Sequence, residues 1–138
     1  MKILVLSPRE ITTENVIAGL QSLMHHETIV YFYDQHGTPV DSGMIRVAEQ
    51  HKPDMLCYIG QNGGAFLASE STFHKLKAIC PTVAMIHDAS DKTWARLLHE
   101  YRERDAFSCI VNIDGNPDWE HGPLDITALT PTCQGFYE

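Results

Sequence analysis

Four short segments combine residue types that can hold or transform a small molecule. In Ser7-Pro8-Arg9-Glu10, Arg9 could pair with a carboxylate or phosphate and the Ser7 hydroxyl could hydrogen-bond a ligand. Gly60-Gln61-Asn62-Gly63-Gly64 places three glycines in five residues, which permits positive φ and close approach of backbone amides. Gln61 and Asn62 add uncharged donors and acceptors suited to a hydroxylated ligand. In His87-Asp88-Ala89-Ser90-Asp91, a histidine that titrates near neutrality stands beside carboxylates. There His87 or Asp88 could act as a general base, with Asp91 available to the same ligand. Asn112-Ile113-Asp114-Gly115-Asn116 could line a crevice too, but Asp-Gly-Asn-Pro reads better as a turn. Each segment has a plain alternative. Pro8 and Arg9 can simply turn the chain, Asn62-Gly63 can be a structural turn, and Ser90 or Asp91 can cap a helix.

Other chemistries fail on spacing. No G-x-G-x-x-G follows the first apolar run, which argues against direct nicotinamide or flavin dinucleotide binding, and no lysine completes a P-loop after Gly60. No cofactor is expected. The eight histidines include no H-x-x-x-H pair with a third ligand, so no metal is expected either. Among them, His74 and His99 fall within exposed helical patterns. Cys57, Cys80, Cys109 and Cys133 are widely separated, without C-x-x-C, and read as buried thiols. Asp34-Gln35-His36-Gly37 resembles part of a cobalamin-binding motif but lacks its second glycine and follows the wrong strand. A phosphoacceptor receiver domain needs an acidic pair after strand 1, an aspartate ending strand 3 and a lysine ending strand 5. Here only Glu10 lies near the first position, and Ile59-Gly60 and Ile113-Asp114 occupy the others.

The elements that must position these loops alternate regularly. Lys2-Leu6, Thr28-Tyr33, Met55-Ile59, Thr82-Ile86 and Phe107-Ile113 are short apolar or β-branched runs, which predict strands. Between them, Val16 to Met24, Asp41 to Ala48, Ser69 to Ile79 and Thr93 to Arg104 carry apolar residues at helical spacing. Such alternation implies a Rossmann-like or flavodoxin-like α/β domain: three layers, with a mainly parallel sheet of five or more strands covered on both faces. Leu4, Val30, Leu56, Val83 and Ile110 are the expected core. In such sheets ligands gather beyond the carboxyl ends of the strands, so the Gly60–Gly64 and His87-Asp88 loops should share one crevice with Arg9 at its edge. The tail after Asp114 is broken by glycine and proline, leaving Asp125 to Leu129 as a short last strand.

Size and charge narrow the function classes. With 138 residues and 43% hydrophobic content, the chain suits a single domain. Ten basic residues against 18 acidic ones give a net charge of −8, which disfavours nucleic acid and anionic membranes as partners. The acidity is concentrated after Met85, with 10 of the acidic residues and 4 of the basic ones. No apolar run approaches the roughly 20 residues of a membrane span. The opening Met1 to Leu6 stops too soon for a signal peptide, so a cytoplasmic location is expected.

Lys52-Pro53-Asp54 before strand 3, Cys80-Pro81-Thr82-Val83 at strand 4 and His87-Asp88 after it resemble the N-terminal domain of GT-B glycosyltransferases. The spore-maturation (CgeB-like) enzymes are most similar. The resemblance implies that residues 1–138 are the acceptor-side half of a two-domain enzyme. Its partners would be a missing C-terminal domain that binds the nucleotide-sugar donor, and a hydroxyl-bearing acceptor held by Ser7, Arg9, Gly60 to Gly64 and Asp91. His87 or Asp88 would take the acceptor proton, and the half alone would be inactive. The alternative is a self-sufficient flavodoxin-like module that binds a small polar ligand or regulates a partner.

Overall fold

The computed structural model describes residues 1–9, 26–60, 66–86 and 92–112. Within them run five strands: β1 (Lys2–Ser7), β2 (Glu27–Phe32), β3 (Met55–Gly60), β4 (Thr82–Ile86) and β5 (Cys109–Asn112). Three helices join the later strands: α1 (Asp41–His51), α2 (Glu70–Ile79) and α3 (Lys92–Glu103). The strands form one sheet in the order β2-β1-β3-β4-β5, and every pair is parallel. This is the flavodoxin-like α/β arrangement. The expected helix over residues 16–24 and the expected last strand over 125–129 lie outside the described residues.

The strands alternate between two buried faces, which is why their sequences run almost continuously apolar. On one face Leu4, Leu6, Leu56, Tyr58, Ala84 and Ile110 pack against Met44 and Val47 of α1, Phe73 and Leu76 of α2, and Leu98 of α3. Tyr58 and Phe107 are stacked with centroids 6.5 Å apart, and Phe73 meets both rings, edge-on to Tyr58 at 4.8 Å and tilted to Phe107 at 4.6 Å. On the other face lie Ile3, Val5, Cys57, Ile59, Val83, Met85, Cys109 and Val111, a buried cluster drawn, among the described residues, from strands alone.

Helix ends follow from local chemistry. α1 stops because Lys52 turns left-handed, with φ 45°, and its N–H bonds the Ala48 carbonyl; Pro53 then blocks continuation. Asp54 clamps the chain to the first strand. Its N–H donates to the Lys2 carbonyl at 2.8 Å, and its carboxylate accepts from the Lys2 N–H at 2.6 Å. At the other end of the sheet's last helix, Asp105 adopts φ 68° and the chain turns into β5.

Four expectations need correction. Val30 is only half-buried, on β2 at one edge of the sheet, where among the described strands only β1 lies beside it. β5 begins at Cys109 instead of Phe107, whose ring is instead buried in the turn that precedes the strand. His99 is 7% exposed, so the helical pattern placed it on the wrong side of α3. Cys57 and Cys80 are free buried thiols as expected, whereas Cys109 is disulfide-bonded. Among the described residues no helix is long and apolar enough to cross a membrane.

Candidate functional site

The strand order fixes where a crevice can open. From β1 the chain crosses to β2 on one side and then returns to β3 on the other, so the connections part between β1 and β3. The strands end, across the sheet, at Phe32, Ser7, Gly60, Ile86 and Asn112. Ser7 and Gly60 therefore flank the switch point.

Three of these exits are pinned together. The Arg9 N–H donates to both carboxylate oxygens of Asp34, each at 3.1 Å, and so joins the turn after β1 to the single 3-10 turn (Tyr33–Gln35) after β2. Tyr33 reaches beneath the rim, where its buried Oη donates to the Ile59 carbonyl at 2.8 Å. Burial, and then the neighbouring Tyr58, push the Tyr33 phenol far above its ordinary pKa, so it serves as a fixed donor and not as a titrating group. Ser7 is fully buried and its Oγ donates to the Pro8 carbonyl at 3.0 Å, which turns the hydroxyl to a local, structural task.

Of the residues singled out in the sequence, the structure thus brings Ser7, Arg9 and Gly60 to one edge of the sheet. Gln61, Asn62, Gly63, Gly64, His87, Asp88 and Asp91 lie outside the described residues. No group of three or more His, Cys, Asp or Glu side chains able to hold a metal occurs among the described residues. The free thiols are poor nucleophiles: burial, with Cys80 nearby, pushes Cys57 up to about 12, and burial, with Asp54 nearby, pushes Cys80 up to about 11.

A second opening lies beside this edge, at the end of β2, and sequence reasoning missed it. It is a cavity of about 280 Å³ whose walls include Tyr31, Tyr33, His36, Ser42, Gly43 and Arg46. The Tyr31 and His36 rings stack, with centroids 4.8 Å apart and planes 7° from parallel. Gly43 permits this, since a Cβ there would lie 2.3 Å from the Tyr31 Oη. Gly37, at φ 78°, turns the chain between the ring pair and α1. The available signal was a glycine inside the first turn of an otherwise regular helix, which marks a close approach.

The chain is similar to the BeF3-activated N-terminal receiver domain of Klebsiella pneumoniae RstA. The TM-score is 0.54 at 18% identity, covering 85% of this chain and 89% of that one. A response regulator protein from Burkholderia multivorans is similar with a TM-score of 0.49 at 10% identity, over 99% of this chain and 94% of that one. No family model and no curated protein matches the sequence. The similarity to the RstA receiver domain corrects the resemblance to GT-B glycosyltransferases, and with it the acceptor-side role, the missing donor-binding domain and the sugar acceptor. Two of the motifs that carried that resemblance have structural duties here. Lys52-Pro53-Asp54 ends α1 and clamps Lys2, and the Pro81 carbonyl accepts from Leu56 where β4 begins beside β3. Any parallel α/β sheet that ends its helices in this way produces them.

Proposed function

We propose that this domain is a flavodoxin-like regulatory module that works by binding, to a small polar ligand or a partner subunit, and not by accepting phosphate on a strand-end aspartate. The observation that carries this reading is the composition of the five strand ends: Phe32, Ser7, Gly60, Ile86 and Asn112 include neither a carboxylate nor an amine. The regulatory half of the reading draws on the RstA neighbour, a receiver domain of similar extent. The binding half draws on the crevice that a parallel sheet opens at its switch point and on the rigid rim made by Arg9, Asp34, Tyr33 and Ile59.

The test is incubation with acetyl phosphate and magnesium, followed by intact-mass measurement. The expected result is an unchanged mass. A gain of one phosphate, mapped to any aspartate, would overturn the reading.

A further inference from the structure

We infer that the cavity at the end of β2 is a binding site for a small anion with a flat body: a planar ring carrying one carboxylate or one phosphate. The inference deepens the regulatory reading above and rests on it, since it names the ligand class such a module would sense. Three observations meet at this place.

The first is a cation with spare capacity. Arg46 lines the cavity, and among the described residues it makes no ion pair, although acidic residues outnumber basic ones 18 to 10. The carboxylate nearest in sequence, Glu49, forms no ion pair with it among the described residues, and the next, Asp41, is engaged elsewhere. Its Oδ1 accepts from the Ser69 N–H at 2.9 Å, the Ser69 Oγ at 2.8 Å and the Thr72 Oγ1 at 2.6 Å. An arginine in this state presents a planar fork that fits a carboxylate or a phosphate through two parallel N–H···O bonds.

The second is a flat wall. The near-parallel Tyr31 and His36 rings offer aromatic surface to a planar ligand, and Tyr33 lies beside them with its hydroxyl committed to Ile59. The third is size. A cavity of about 280 Å³ has room for roughly nine waters at about 30 Å³ each, which matches one ring and one acidic group and excludes a dinucleotide. Ser42 lies on the same wall and offers a hydroxyl to the ligand's second polar group.

The test is a titration of the isotope-labelled chain, followed by amide chemical shifts, with three probes: 4-hydroxybenzoate, phenyl phosphate and the neutral benzamide. The expected result is saturable shifts centred on residues 31–46 with one or both anions and at least tenfold weaker binding of benzamide. Binding of one anion alone identifies the acidic group. Arg46→Ala should weaken the bound anion at least tenfold and Arg46→Lys by less. Arg46 is exposed, so thermal melts of both variants should match the parent. The inference is overturned by an absence of shifts with either anion, by equal binding of benzamide, or by an Arg46→Ala variant that binds as the parent does. These outcomes are independent of the acetyl phosphate result, so failure of the pocket and failure of the regulatory reading are separately visible.

Discussion

At the scale of single residues, His99 shows how burial converts a surface-looking side chain into a pH-sensitive one. Its Nε2 has no hydrogen-bond partner among the described residues, and desolvation, with Arg102 nearby, lowers its pKa from 6.5 to about 4. Above pH 6.5 both the folded and unfolded chains hold it neutral. Between pH 6.5 and about 4 the unfolded chain takes up a proton that the folded chain refuses, so stability falls as the pH falls and levels off below that window. His99→Leu should remove this dependence. Urea unfolding at pH 7 and pH 5 should show a smaller loss for the variant than for the parent, and an identical loss in both would place the sensitivity elsewhere. His99 was illegible in the sequence because α3 places it one position beyond Leu98, on the margin between the buried and exposed faces. Arg46 was illegible for the opposite reason. It looks like any solvated helix arginine until Tyr31, His36 and Gly43 are known to surround the space beside it.

At the scale of elements, side chains on one helix hold the end of another. Ser69, which precedes α2, makes no side-chain cap of its own. Asp41, in the first turn of α1, does that work from across the gap through the three bonds to Ser69 and Thr72. Burial alone would raise the Asp41 pKa, but the Thr72 and Ser69 hydrogen bonds outweigh it and the net direction is down. The contribution is therefore present above the ordinary carboxylate value of 3.8 and is lost as the pH falls below it. Asp41→Ala should cost about 1 to 3 kcal/mol in urea unfolding at pH 7, the range for losing a charged acceptor that serves a helix start. A loss below a few tenths of a kcal/mol would mean that the Ser69 and Thr72 hydroxyls satisfy one another. α2 is tied to the end of α3 by the two-pronged Arg104–Glu70 pair, at 2.8 and 2.9 Å, and by Lys77 with Asp105. Elements were the most legible level, because periods of two and of 3.6 residues are local properties. The caps were not, since Asp41 and Ser69 are 28 residues apart and their partnership exists only after the sheet has formed.

At the scale of the whole molecule, the sheet's α/β class and its parallel pairing were legible from the alternation of strand and helix patterns, which admits few topologies. Its function was not, because short turn motifs such as Lys52-Pro53-Asp54 serve the architecture and recur with it. The register also bears on how the sheet assembles. Leu56 faces Thr82 and Val83 faces Cys109, each about 26 residues along, but Ile3 faces Met55, about 52 residues along. Doubling the loop adds about 0.6 kcal/mol of closure entropy, so the β3-β4-β5 portion should form ahead of the β1–β3 seam. Stopped-flow chevrons check this. Ile110→Ala should mainly slow refolding, while Leu4→Ala, on the same buried face, should mainly speed unfolding; the reverse pattern would place β1 in the folding nucleus. The seam that closes late is the one flanked by Ser7 and Gly60. A ligand that grips both strand ends therefore has no site on a half-assembled sheet, and it draws the population toward the finished fold by mass action alone.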